Sequence, residues 1–284
     1  MKKWLFLIFA GAMLVACDPQ DNLNSQDTLP DGTTGTFTDA RDGNMYKTVK
    51  IGKQIWMAEN LKFLPSVSKP IYGSKKEPHY YVYGYDGSFV AEAKDFIYEG
   101  VNMYETYGVL YNWCAATTTI NLYGTVSAGT KAAVQGQVQG VCPDGWHLPG
   151  QAEWVQLECY LADNGHNYDG SIGWEENTFK KIGKSMATAD GWKSSDTEGA
   201  VGNADYPEYQ NKSGFSALPS GARFSYGTFG DLGINGSWWS ATEYQVFDFN
   251  YDHAWLRLLQ NSYNILFYNY WRKDEGLSVR CVKN

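Results

Sequence analysis

The sequence predicts an α+β fold of short strands, few helices and long loops. Three observations carry this. Two β-prone apolar runs flank Gly52-Lys53 near the start. A broad apolar helical face follows Pro149, and from Gly214 onward short strand-like runs alternate with glycine turns. Aromatic residues make up 16% of the chain, with 21 Tyr and 11 Trp, which suits a β- and loop-rich core filled by large flat side chains.

The order of elements supports this reading. Met45–Lys62 reads MYKTVKIGKQIWMAENLK, and its glycine turn predicts a hairpin with strands near Tyr46–Ile51 and Gln54–Ala58. Tyr80–Phe89 (YYVYGYDGSF) reads as a loop or short strands. Tyr107–Ala116 (YGVLYNWCAA) suits a strand end or a short helix equally. After Pro149, Ala152, Val155, Cys159 and Ala162 share one helical stripe, and Trp154, Leu157 and Leu161 share the next. Gly150 stands at the N-cap, Glu153 complements the helix dipole, and Asn164-Gly165 is a stop signal. A second helix is expected over about Glu175–Thr188, with Phe179, Ile182 and Met186 on one side, although Gly183 weakens it. Leu277, Val279 and Cys281 alternate with Ser278, Arg280 and Val282, as in a half-buried strand. No internal repeat is present.

The N-terminus predicts an address. Lys2 and Lys3 precede an apolar run from Trp4 to Ala16, shorter than the roughly 20 residues a spanning helix needs. Leu14-Val15-Ala16-Cys17 resembles a bacterial lipobox. The expected organisation is therefore a signal peptide over 1–16, an acylated Cys17 with a flexible polar tether over 17–35, and a domain over 36–284. The expected location is the bacterial cell envelope, lipid-anchored, at the outer membrane or cell surface. The membrane is then a partner through the acyl chains, since one chain alone anchors marginally. The net charge is −8 and no basic stripe exists, so nucleic acid is excluded as a partner. Besides Cys17, four cysteines remain, Cys114, Cys142, Cys159 and Cys281. In an oxidising compartment they suggest two disulfides with three possible connectivities.

DARDGNMYKTVKIGKQIWMAENL, YGVLYNWCAA, CPDGWHLPGQAEW, SGFSALPSGARF, GSWWSATE and LSVRCV follow one another from about Thr36 to Asn284. In this order they resemble the Fibrobacter succinogenes major paralogous domain, a family of exported bacterial domains. The resemblance implies a C-type-lectin-like fold, with a mixed short-stranded sheet, two packed helices, and long loops that carry any ligand site. Cys142 and Cys281 match the family's cysteines, whereas Cys114 and Cys159 are additions. The resemblance thus implies pairs Cys142–Cys281 and Cys114–Cys159, the first contributing roughly 4–5 kcal/mol by loop entropy. Gly150 departs from the family's Ser or Thr cap, at a cost of only a few tenths of a kcal/mol.

HLPGQAEW also resembles the RLP-x-x-AEW stretch of formylglycine-generating enzymes, whose chemistry uses a pair of reactive thiols near the C-terminus. Here Cys281 stands alone in that region, and no catalytic residue is assigned. No GxSxG, phosphate loop or dinucleotide fingerprint occurs. His79, His147, His166 and His253 lack zinc spacing, and His147 within GWHLP reads as structural. Asp248, Asn250 and Asp252 offer oxygen ligands for Ca2+, but the EPN or QPD and WND triplets of sugar-binding C-type lectins are missing.

The leading expectation is a non-catalytic binding module for a glycan or a surface protein. Trp238, Trp239, Tyr244, Tyr251 and Trp255 are its candidate recognition residues. Since GSWWSATE is a family motif, at least one of Trp238 and Trp239 is expected in the core, and Arg223 in a structural role. The alternatives are an accessory subunit of a surface adhesive assembly and, less favoured, an oxidase. An aromatic concavity favours a small ligand, whereas a flat apolar face or an open sheet edge favours assembly.

Overall fold

A computed structural model describes residues 29–120, 126–127, 132–133, 137–174, 180–244 and 252–284. The leader, Cys17, Asp248, Asn250 and Tyr251 lie outside these residues. The fold is mixed α+β, built mostly from small antiparallel sheets with few helices. Among the described residues no helix is long and apolar enough to cross a membrane.

The expected hairpin is present. β1 (Thr34–Thr38), β2 (Met45–Ile51) and β3 (Gln54–Met57) run antiparallel, and the β2–β3 turn uses Gly52 at φ +60°. Two later strands complete a five-stranded sheet: β4 (Trp146–His147) and the closing β10 (Val282–Lys283), in the order β1-β2-β3-β10-β4. The two ends of the described chain therefore meet in one sheet. Ordered packing starts ahead of Thr36. Lys50 Nζ donates to Leu29 O (2.6 Å), Gly52 N donates to Asp31 Oδ1 (2.7 Å), and β1 begins at Thr34.

α1 spans Gln151–Asp163 as the apolar pattern predicts. Trp154, Leu157 and Leu161 are its buried stripe, while Ala152 is exposed. Trp154 packs against Trp56 at 4.8 Å and Phe215 at 6.1 Å between ring centroids. Gly150 has no side chain with which to cap. Two other groups do the work: Glu153 Oε2 accepts from Gly150 N (2.8 Å), and Thr242 Oγ1, 91 residues away, accepts from Gln151 N (3.1 Å).

The second expected helix differs. Residues 175–179 lie outside the described residues, Lys180–Ile182 are not helical, and only Gly183–Met186 (α2) forms a turn of helix. Tertiary contacts override the periodicity here. Gly183 N donates to Asn264 O (2.9 Å), and a Cβ at Gly183 would stand 2.9 Å from that carbonyl. Ala187 then bridges to Ala217, which ends the helix.

β5 (Ser220–Arg223) and β6 (Phe229–Leu232) form a small ribbon beside a second main sheet. That sheet contains β7 (Asn235–Tyr244), β8 (His253–Gln260) and β9 (Phe267–Arg272), antiparallel in that order. Two apolar cores result. One lies under the β7–β9 sheet and includes Trp239, Leu256, Tyr111 and Val279. The other lies between α1 and β2–β3 and includes Trp154, Trp56, Phe215 and Trp238.

Cys142 and Cys281 are bridged, with Cα atoms 6.0 Å apart across 139 residues of chain. The second expected pair is not formed. Cys114 is a free thiol whose Sγ lies 3.0 Å from Lys76 O, and it does not bond to Cys159, which sits on α1. Its pKa is raised by burial, which keeps the thiol protonated.

The borrowed cap gives a test. Thr242→Val keeps the shape of the site but orphans the Gln151 N–H, and should cost about 1 kcal/mol in urea unfolding. An unchanged unfolding midpoint would show that Thr242 contributes no cap.

Candidate functional site

The β7–β9 sheet has two unlike faces, and strand parity decides which residues lie on each. Trp239, Ala254 and Leu256 point into the core beneath. On the other face, α1 covers one half. There Arg257, buried on β8, donates from Nε to Glu158 Oε1 (2.5 Å) and from Nη1 to Gln151, with its guanidinium 5.9 Å from the Trp154 ring. Among the described residues nothing covers the other half of that face, and aromatic side chains occupy it.

Tyr244 and Tyr270 stack face to face at 3.8 Å with an interplanar angle of 3°. Trp255 stands edge-on to both, at 4.9 Å and 6.0 Å. Tyr268 lies 6.1 Å from Trp255, and His253 packs edge-on to Tyr270 at 5.7 Å. Register explains the grouping: Tyr244 opposes His253, and Trp255 opposes Tyr270 across adjacent strands. The register shift between Trp239 and Glu243 is by two residues and keeps the alternation, so Tyr244 lies on the same face as Trp238 and opposite His253. Tyr268 is 56% exposed and Tyr270 42%.

Among the described residues the charges around the cluster are paired. Lys75 pairs with Asp252 and Lys273 with Glu243, while Arg272 Nε donates to Asp274 Oδ1 at 3.0 Å. Partial burial and the nearby Arg272 lower the His253 pKa, so its imidazole is neutral at neutral pH. Partial burial and the Tyr270 hydroxyl raise the Tyr244 pKa. Among the described residues the platform side chains are uncharged, and the ions at its rim are paired within the domain.

Of the expected recognition residues, the structure brings Tyr244 and Trp255 together, and Tyr251 lies outside the described residues. Trp238 and Trp239 are corrected to core: both are fully buried, with Nε1 donating to Asn60 Oδ1 (2.8 Å) and Tyr111 O (2.7 Å). Tyr268, Tyr270 and His253 were missed. The signal lay in the alternation of SYNILFYNYW, which puts Tyr268 and Tyr270 on one face. Asp252 is engaged by Lys75, which also holds its carboxyl below the usual range. Among the described residues no group of three or more His, Cys, Asp or Glu side chains converges as a metal site. Arg223 is structural as expected, donating to Pro70 O (2.8 Å) and Asp274 O (2.7 Å). His147 is buried, with Nε2 2.5 Å from Glu153 Oε1 and Nδ1 2.7 Å from Asn284 Oδ1. A depression of about 520 Å³ elsewhere is lined by Ile71–Ser74, Lys76, Glu77 and His79, and offers only Tyr72 and His79 as rings.

The sequence model of the Fibrobacter succinogenes major domain matches residues 49–283. The chain belongs to the Fibrobacter succinogenes major domain family. No curated protein and no solved structure matches the chain. In this family member the stretches that carry the resemblance are largely interior: Trp238, Trp239, Arg223, Cys142 and Cys281 are all buried. Trp255, Tyr268 and Tyr270 stand outside those stretches, on the surface side of the same sheet.

Just beyond β9, Glu275 has a buried Oε2 without a hydrogen-bond partner. Burial first and then Asp274 push its pKa up to about 7, against opposing effects of the Ser225 N–H, Arg272 and Arg223. Because the folded value exceeds the unfolded one, this group does not penalise folding below about pH 4.5 and destabilises increasingly up to about pH 7. Glu275→Gln should therefore raise stability at pH 8 by on the order of 2–3 kcal/mol and flatten this part of the profile. Parallel urea titrations at pH 5 and pH 8 check this, and an equal effect at both pH values would refute the assignment.

Proposed function

We propose that this chain is a non-catalytic binding module of the bacterial cell envelope. In this reading it is tethered through Cys17, and it binds an uncharged glycan on the open aromatic half of the β7–β9 sheet. One observation carries the reading: Tyr244, Trp255, Tyr268 and Tyr270 form a cluster that core packing does not require, and two of them are largely exposed. Flat rings of this kind stack on the C–H faces of sugar rings, and hydroxyls at their tips reach hydrogen-bond partners. Because the described ions around the platform are mutually paired, the favoured ligand is neutral.

Other features support the same reading. A C-type-lectin-like arrangement agrees with the meeting of both chain ends in the β1-β2-β3-β10-β4 sheet and with α1 packed against it. An oxidase of the formylglycine-generating type needs a thiolate near the C-terminus, and Cys281 is engaged in a disulfide. Calcium is not required for stacking, and Asp252 is already paired. A second reading, an accessory subunit of a surface assembly, is favoured by a different observation: the outer edge of β9 carries no further strand among the described residues.

A glycan array with the full-length chain in detergent, run with calcium and with a chelator, tests the proposal. Tyr268→Ala, at an exposed position, should weaken binding about tenfold, in line with the loss of one stacking ring, and the chelator should change nothing. Absence of binding to any uncharged glycan, or binding indifferent to Tyr268→Ala, would overturn it.

A further inference from the structure

The outer edge of β9 has an unusual design. Natural edge strands are blunted by charges, proline, bulges or shortness. β9 is six residues long and regularly paired with β8 over its whole length, with a single charge at its end. Tyr270 N–H points away from β8, since it donates to Asn269 Oδ1 at 2.8 Å. Arg272 O also points away and accepts from Glu275 N at 3.0 Å. By strand parity the N–H and C=O of Tyr268 share this outward direction, while Phe267, Asn269 and Trp271 bond to β8.

The edge is also its own complement. Phe267-Tyr268-Asn269-Tyr270-Trp271 reads aromatic, Tyr, Asn, Tyr, aromatic in either direction. We propose that a second copy of this chain pairs antiparallel with β9 about a two-fold axis at Asn269, joining the two three-stranded sheets into one of six strands. In this register Tyr268 faces Tyr270 of the second copy, and the two exchange backbone hydrogen bonds in place of the Asn269 cap. Phe267 faces Trp271 of the second copy, and the two Asn269 amides meet at the axis. Arg272 falls opposite Leu266 of the second copy, so no like charges oppose each other. A self-complementary patch is what a two-fold interface demands. The exposed rings of Tyr226 (70%) and Tyr263 (48%) stand close to Trp271 and Phe267 by way of Phe224 and direct edge contact, so the opposite face of β9 also has apolar surface beside the seam. Pairing would set Tyr268 and Tyr270 of both copies side by side on one continuous open face. The inference stands apart from the nature of the ligand, because it rests on the backbone edge.

Sedimentation of the full-length chain in detergent should show a concentration-dependent dimer. Relative to Tyr270→Ala, Tyr270→Pro removes only an outward N–H and leaves the β8 ladder intact, so it should weaken the dimer at least tenfold, and more than Tyr270→Ala does. As a measurement independent of those variants, Asn269→Cys in a Cys114→Ser background puts two thiols on the axis. Directly opposed Cα atoms there would be about 4.5 Å apart, within disulfide range. Mild oxidation followed by peptide mapping should give a covalent dimer linked through position 269. A monomer at every concentration with no such cross-link would overturn the proposal. So would a dimer as strong in Tyr270→Pro as in Tyr270→Ala, which would place the contact on another face. Absence of glycan binding by the unmodified chain, with the dimer intact, would count against the ligand reading alone.

Discussion

The closing segment Gly276–Lys283 is the constraint on which the rest of the structure depends. It exchanges backbone hydrogen bonds with parts of the chain that lie far apart in sequence. Gly276 pairs with Arg223, Leu277 with Tyr111, and Ser278 with Ser237 and Trp239; Val279 O and Cys281 O accept from Leu61 and Met57. Its alternation serves two cores at once. Leu277, Val279 and Cys281 enter the core beneath the β7–β9 sheet, and Val282 enters the core under α1. A strand buried on both faces needs partners for every polar group, and the Cys142–Cys281 bridge fastens it at the point where it joins the first sheet.

Arg280 is the most demanding member of that segment. Its side chain is fully buried, lies 4.2 Å from the Phe215 ring and 5.5 Å from Trp238, and has its pKa lowered to about 9 by desolvation. It donates to Phe215 O, to Ser216 O (3.2 Å) and to Asn60 Oδ1 (3.1 Å). Asn60 in turn accepts from Trp238 Nε1 and donates to Tyr107 O (3.0 Å) and Ser278 Oγ (3.2 Å). Arg280 Nε is left without a hydrogen-bond partner, so the buried guanidinium depends on the bonds its Nη atoms make, and these side chains act as a unit. The network also fixes Trp238, and with it the rotation of β7 that leaves Tyr244 on the open face.

Local signals made the β2–β3 hairpin and α1 legible, because each is settled by residues within one turn or one strand of it. The reading failed where distant chain decides. GSWWSATE gives no hint that Asn60 and Tyr111 take the two indole N–H groups, so the sequence places at least one of Trp238 and Trp239 in the core without showing that both belong there. The Thr242 cap on α1 and the crowding of Gly183 by Asn264 are likewise invisible locally. Tyr268 and Tyr270 were readable in principle from period-two alternation, but the run from Ile265 to Trp271 is apolar enough to suggest burial on both faces. Cys114 has a thiol at 3.0 Å from Lys76 O and no sulfur partner, a result that counting cysteines does not anticipate.

The proposed function rests on one sheet having three kinds of surface. One face is core, and half of the other is sealed by Arg257 against Glu158 and Gln151. The remaining half, with the β9 edge beside it, is the surface on which we propose recognition. This division holds only if the closing segment keeps the β7–β9 sheet rigid against the first sheet. Native-state hydrogen exchange tests that directly. The amides of Met57, Leu61, Tyr111 and Trp239, which all donate to the closing segment or its neighbouring carbonyls, should open as one cooperative unit with a single free energy, and all should lose protection together when the Cys142–Cys281 bridge is reduced. Separate opening energies, with Trp239 still protected after Met57 and Leu61 have exchanged, would contradict the account.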